Sequence, residues 1–383
     1  MLENTRFLGI CEETMKNLIL ILFSMVLLVF VGCDGDSNPM PSVNLQVGEP
    51  VKNIQEFETR LESIRSALYI PGMSAAVAKG GQVVWAKGFG YADVENQVPV
   101  DPTTPFHLAS LTKPFASVLI MQLLEAGMLD LQEPISTYGI DLGSSYTIRV
   151  IHLLTHTSEG EPGSYYRYNG NRFKRLESVI QGVSGKSFCD LLVQEIIDPL
   201  QLEHTAPNPR SSANCMLTTQ SERDAFEQKM PVGYTSNGEK RMSYPSSFSA
   251  AAGLMASALD MAEFSLALDK DMFFSRETKE LMFTAMVSNS GETLPYGMGW
   301  FIHWENNVKI IWHYGYWTAI SSLIIKVPEK DVTFVLMANN DMLSRASHGI
   351  GSDSDITRSV PAEEFLNGFV FGDAELPTEP YSP

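Results

Sequence analysis

Ser110-Leu-Thr-Lys113 sets a hydroxyl and an amine three residues apart, just before an apolar stretch from Phe115 to Leu124 that ends at Gly127. Pro114 has no N–H and is best tolerated in a first helical turn, so the sequence predicts a helix starting here, with Ser110 at its N-terminus. Free N–H groups and the helix dipole favour developing negative charge at such a place. Residues three apart share a helix face, which brings Lys113 within reach of Ser110. A Ser beside a Lys at a buried helix start is the plan of a nucleophile activated by an amine. Taken alone the tetrad is weak. Chance supplies roughly one Ser-x-x-Lys in a chain of this length at average composition, and a helix cap followed by a solvated Lys is then the better reading.

Other residues offer less. His152 and His156 are four apart, but Leu-Leu-Thr lies between them, without the Glu of a zinc hydrolase, and no metal site is expected. The cysteines are Cys11, Cys33, Cys189 and Cys215, none in a Cys-x-x-Cys pair, so neither a zinc ribbon nor a disulfide framework is indicated. Cys189 and Cys215 read as buried thiols, with a single bridge in an oxidising compartment as the alternative.

The elements that must position Ser110 and Lys113 can be read from periodicity. Ile54, Phe57, Leu61, Ile64 and Leu68 step by three and four, the pattern of an amphipathic helix. Strand-like runs Met73–Ala78 and Val83–Lys87 flank Lys79-Gly80-Gly81-Gln82, a tight hairpin signal. Residues 108 to about 284 are mostly helical in pattern. Strand character returns at Gly299–Trp304, Val308–His313, Ile320–Val327 and Val332–Ala338, and Phe365, Leu366 and Phe369 suggest a closing helix. Short links imply an antiparallel sheet built from both ends of the chain. The expected class is α+β, with a helical subdomain inserted and a cleft between the two parts.

Composition bounds the rest. Of 383 residues 44% are hydrophobic, enough to bury a sizeable core, which excludes a disordered chain. A formal net charge of −18 repels phosphate backbones, so nucleic acid is not an expected partner. Leu18 to Gly32 is a 15-residue run without a charge, short of the roughly 20 apolar residues a spanning helix needs. Lys16 precedes it and Gly32-Cys33 closes it, which is similar to a bacterial lipoprotein signal that leaves Cys33 as the lipidated first residue. Phe30 stands where that pattern usually has Leu. Glu3, Glu12 and Glu13 fit no signal, so the expected start is Met15. An uncleaved anchor with an ordinary buried Cys is the alternative. The expected organisation is a signal over 1–32, a flexible tether over 33–50, a folded domain over 51–372 and a tail over 373–383. Within the domain, 51–107 and 285–372 form the sheet part and 108–284 the helical part.

The segment PFHLASLTKPFASVLIMQLLEAGMLDLQEPI, read with its neighbours, resembles the first motif region of the serine β-lactamase and penicillin-binding protein superfamily. It is most similar to class C β-lactamases and their esterase and D-peptidase relatives. IPGMSAAVAKGGQVVWAKGFGYAD, IRVIHLLTHTSEG, AAAGLMASALDMAEF, YGMGW and HYG follow in the order that resemblance requires, over about residues 53 to 370. It implies a β-lactamase/transpeptidase-like fold, with Ser110 as nucleophile and Lys113 as its partner. Tyr168 matches the general base of the second motif, Tyr-x-Asn, but Gly170 stands where Asn is usual, and Asn169 or Asn171 is left to supply the amide. His313-Tyr314-Gly315 matches the third motif, usually Lys-Thr-Gly, with a His that some relatives share.

The reaction so implied starts with Ser110 attacking a carbonyl carbon while Tyr168 and Lys113 remove its proton. Lys113, and His313 if protonated, favour the Tyr168 phenolate. The backbone N–H groups of Ser110 and Tyr316 hold the oxyanion, and Gly315 and Asn169 line the substrate. No cofactor is needed. The expected protein is a serine hydrolase of a bacterial cell envelope, facing the periplasm or exterior and held to the membrane by lipid. Its substrate is a small ester, an amide or a D-amino-acid peptide. A D,D-peptidase or β-lactamase, and a catalytically weak binding lipoprotein, are the alternatives.

Overall fold

The computed structural model describes residues 47–347 and 354–382. Met15, the apolar run, Cys33 and most of the expected tether lie outside the described residues.

The stepped apolar residues form α1 (Ile54–Ala67), whose Asn53 cap accepts from the Glu56 N–H and whose Ile54, Phe57, Leu61 and Ile64 are buried. The hairpin follows as β1 (Gly72–Lys79) and β2 (Gln82–Asp93). Gly80 and Gly81 both take positive φ, +63° and +78°, the conformation a two-residue hairpin turn demands. Short β3 (Val98–Pro99) and β4 (Phe106–His107) lead to α2 (Lys113–Glu125). Further on come α3 (Val150–Leu154), β5 (Ala206–Pro207), β6 (Gly233–Tyr234), β7 (Arg241–Met242), β8 (Leu254–Ala256) and α4 (Ala258–Asp269). The chain closes through β9 (Phe301–Glu305), β10 (Val308–Trp317), β11 (Ile320–Val327), β12 (Val332–Ala338) and α5 (Val360–Phe369).

Seven strands make one antiparallel sheet in the order β3-β2-β1-β12-β11-β10-β9, so the two ends of the chain meet where β1 pairs with β12, Met73 opposite Ala338. On one face Phe57 of α1 packs against Phe334 of β12 and Phe365 and Phe369 of α5. The opposite face carries α4, which packs on β1, β2 and β12. The buried Lys326 of β11 ties the two layers: its Nζ donates to the Ser265 carbonyl (3.2 Å), the Ser265 hydroxyl and Asp269 (2.9 Å). Thus α4 belongs to the sheet layer, although it falls inside the segment expected to form the helical part. It is buried nearly all round, so no polar stripe marked its outer side. That segment also holds β5 and β8, which join β4 in a small sheet of order β4-β8-β5.

Cys189 and Cys215 are bridged, with Cα atoms 5.9 Å apart, which corrects the reading of two separate thiols. A separation of 26 residues says nothing about proximity until the fold brings the two ends together.

Candidate active site

The nucleophile turn is built by the small sheet. The Leu108 N–H donates to the Leu254 carbonyl (2.9 Å) and the Ser322 hydroxyl of β11 donates to the Leu108 carbonyl (2.8 Å). Ala109 then takes φ +46°, a left-handed value that a non-glycine residue holds only under constraint. Its N–H donates to His107 Nδ1 (2.9 Å), and its carbonyl accepts from the Thr112 hydroxyl (2.8 Å). Ser110 lies in the 3-10 turn Ala109–Thr112, one turn ahead of α2, not at the first turn of the helix itself. Pro114 sits in the first turn of α2, as its missing N–H requires.

Lys113 is fully buried, with Nζ 3.0 Å from Ser110 Oγ and 2.9 Å from the Ala251 carbonyl, donating to both. The amine stands over the rings of Tyr168 (4.8 Å to the centroid) and Phe173 (5.5 Å). Burial lowers its pKa from 10.5 to about 7, which makes a neutral amine available near neutral pH. A Cβ on Gly170 would lie 3.8 Å from Lys113 Nζ. Position 170 therefore does face the site, and the missing side chain leaves space beside the amine.

The Tyr168 hydroxyl is buried with no hydrogen-bond partner in ordinary range. Burial, then the neighbouring Tyr314, hold its pKa well above 10, with the Ser110 hydroxyl opposing the shift in part. The expected phenolate is thus disfavoured in the resting site. One of the two cations proposed to favour it is also absent. His313 is wholly buried, and burial followed by the Lys113 charge pushes its pKa well below 6.5. Its Nδ1 donates to the Tyr314 carbonyl (2.7 Å), so Nε2 accepts from the Tyr296 hydroxyl (2.9 Å). The imidazole is neutral and both nitrogens are used.

Asn169 does not replace the amide lost at position 170. Its Oδ1 accepts from the Arg172 N–H (3.0 Å), capping the single turn Gly170–Phe173, and its Nδ2 donates to Glu159 (2.6 Å). Asn171 is exposed.

Gly315 is required by a close approach. A Cβ there would come within 2.0 Å of the Leu108 carbonyl oxygen, so only glycine lets β10 pass the nucleophile turn. The β9–β10 pairs run from Val308↔Glu305 to Trp312↔Phe301, which leaves the edge of β10 from His313 onward unpaired on that side. The exposed side chains of Tyr316 and Trp317 end that edge. Of the predicted residues, Ser110, Lys113 and Tyr168 converge, Gly315 and His313 lie beside them, and Asn169 is withdrawn into a cap. His156 is drawn into the cluster as well, its ring 4.3 Å from that of Tyr168. Among the described residues no group of three or more His, Cys, Asp or Glu is placed to hold a metal ion.

Comparison with known proteins gives the family and the fold. A family model described as Beta-lactamase matches residues 57–348. Protein flp of Staphylococcus aureus (strain MW2) is 26% identical over 330 residues, covering 74% of this chain and 63% of the relative. A putative penicillin-binding protein, PbpX of Bacillus subtilis (strain 168), is 28% identical over 259 residues, covering 60% of this chain and 61% of the relative. The chain thus spans somewhat less than two thirds of these curated relatives. Among solved structures, the octameric penicillin-binding protein homologue from Pyrococcus abyssi superposes with a TM-score of 0.66 at 24% identity, covering 76% of each chain. D-alanine carboxypeptidase AmpC from Burkholderia cenocepacia gives 0.65 at 17% identity, covering 81% of this chain and 98% of that one. Both share the fold, antiparallel sheet and flanking helices alike. With most of its length matched and the motif residues brought to one place, the chain belongs to the beta-lactamase family, within the superfamily of serine β-lactamases and penicillin-binding proteins.

Proposed function

We propose that the protein is a serine hydrolase that forms an acyl-enzyme on Ser110 and cleaves a small, uncharged ester. The observation that carries this reading is the buried Lys113 amine, 3.0 Å from Ser110 Oγ, whose burial lowers its pKa to about 7 so that a good part of it is unprotonated near neutral pH. Once the amine is unprotonated, the Ser110 hydroxyl turns to donate to it, and its lone pair takes the Ser110 proton as Oγ bonds to the substrate carbonyl carbon. Tyr168, protonated at rest, passes a proton from Lys113 to the leaving oxygen as the ester bond breaks. Water then repeats the sequence in reverse roles and frees Ser110. The oxyanion is assigned to the backbone N–H groups of Ser110 and Tyr316, each worth about 3 kcal/mol in such sites. His313 acts as a neutral anchor for Tyr296, and no cofactor enters the scheme.

Two features favour an ester over a β-lactam. Gly170 offers no amide for an acylamino side chain, and a neutral His313 offers no cation to a carboxylate, a contact worth about 1.5–3 kcal/mol. The exposed Tyr316 and Trp317 suit an apolar substrate group. The names of the relatives favour a second reading, a D-peptidase acting on peptidoglycan, and the loss at position 170 a third, a binding lipoprotein with little turnover. We place the domain outside the cytoplasm on a lipid at Cys33; the Cys189–Cys215 bridge, which a reducing cytosol would not keep, supports this.

A fluorophosphonate should add once to the wild type and not to Ser110→Ala by intact mass. An adduct persisting in Ser110→Ala places the nucleophile elsewhere, and no adduct on either supports the binder. Comparison of kcat/KM for p-nitrophenyl butyrate, a D-alanyl amide and a chromogenic cephalosporin should favour the butyrate; a larger value for either of the others moves the assignment to that class.

A further inference from the structure

We infer that His156 is a positioning residue that sets Tyr168 for proton transfer by holding the backbone on both sides of it. This rests on the assignment of Tyr168 above. The Arg167 N–H donates to the His156 carbonyl (2.8 Å) and the Asn169 N–H donates to His156 Nδ1 (3.1 Å). The two amides that flank Tyr168 are thus both held by one residue, and its ring packs on the Tyr168 ring at 4.3 Å.

His156 is itself fixed. It is the residue after Thr155, the C-cap of α3, and the Thr157 N–H beyond it donates back to the His152 carbonyl (2.9 Å). Its φ of +55° is left-handed, a strained value that persists only where the surroundings enforce it. Tyr296 lies edge-on at 4.9 Å and Phe173 at 5.3 Å, and the side chain is buried. Burial keeps the ring neutral, and a proton on the neighbouring Lys113 would only disfavour a second charge here further. With Nδ1 accepting, the ring proton is on Nε2, which is buried with no partner. A phenyl ring here would carry no such orphan donor, so the acceptor at Nδ1 is what the histidine contributes. Tyr168, whose hydroxyl meets no partner at ordinary hydrogen-bond distance, is held beside Ser110 by its backbone and ring packing instead. A misplacement of about 1 Å in such a group can cost on the order of a hundredfold in rate.

Two amide substitutions separate the acceptor from mere bulk. Asn at 156 places its oxygen where Nδ1 stands and accepts a left-handed φ, whereas Gln places it where Nε2 stands. Steady-state turnover of p-nitrophenyl butyrate is measured for wild type, H156N, H156Q and Y168F, with active enzyme counted by fluorophosphonate adduct so that misfolded chains drop out. H156Q is expected to lower kcat about tenfold or more with KM little changed, and H156N to recover most of that loss. Equal kcat in H156Q and wild type, with Y168F inactive, overturns the clamp and leaves the role of Tyr168 standing. Equal losses in H156N and H156Q also overturn it, because the acceptor position would then not matter. Wild-type turnover by Y168F removes the underlying assignment and the clamp with it.

Discussion

Burial holds the Lys113 amine at about 7, so kcat/KM for a neutral ester should rise with pH through about 7 and then level off as the base loses its proton. A profile that falls over the same range would mean a protonated group is required, and Lys113 would lose its role as base. The same burial weakens the fold. The folded-state value lies below the unfolded 10.5, so between the two the unfolded chain binds the extra proton. The cost, on the order of a few kcal/mol, is complete below about 7 and fades as pH rises towards 10.5. Lys113→Met should therefore be inactive yet melt about 4–8 °C higher at pH 7, the gain shrinking by about pH 10. An equal or lower melting temperature at pH 7 would show that the Ser110 and Ala251 hydrogen bonds outweigh desolvation. Ser110, Lys113 and Tyr168 were legible because motif spacing survives as geometry. The charge state of His313 was not, since Tyr296, Phe301 and Lys113 enclose it from distant parts of the chain. The histidine of LLTHTSEG was weighed only as a metal ligand, because nothing in its neighbours says that Arg167 and Asn169 will bond to it.

The strands were visible as elements because alternation and β-branched runs mark them, and the predicted hairpin at Gly80-Gly81 is the observed turn. Their ends were less clear. Strand β10 continues to Trp317, beyond the predicted His313, since it keeps pairing with β11 after β9 has stopped. The Cys189–Cys215 bridge joins the helical turn at Phe188–Leu192 to the loop before Thr219. Closing a loop of 26 residues should contribute about 3–4 kcal/mol, chiefly by restricting the unfolded chain. Cys189→Ser is expected to lower the melting temperature by several degrees, and dithiothreitol to do the same to wild type but nothing further to the variant. If reductant leaves the wild-type melt unchanged, the two thiols are not bridged in solution.

At the scale of the whole molecule, one sheet depends on both ends of the chain, and Lys79 pairs with Val332 across 253 residues (332 − 79). Contacts this distant in sequence slow folding and leave little that can fold piecemeal. A chain ending at Ala319 lacks β11 and β12 and so separates β1 and β2 from β10 and β9; it should show no cooperative melt by near-UV circular dichroism. A sharp transition in that fragment would reveal an independent helical unit. The order in which strands are synthesised then matters. A ribosome releases β1 and β2 early and works for tens of seconds more, at about 5–20 residues per second, before their partner β12 exists. Until then the apolar run Gly72–Lys79 has an unclaimed edge, open to pairing with strands of other chains. An unfolded delivery across a membrane costs such a protein little, because there is no finished sheet to dismantle before the last strand is made.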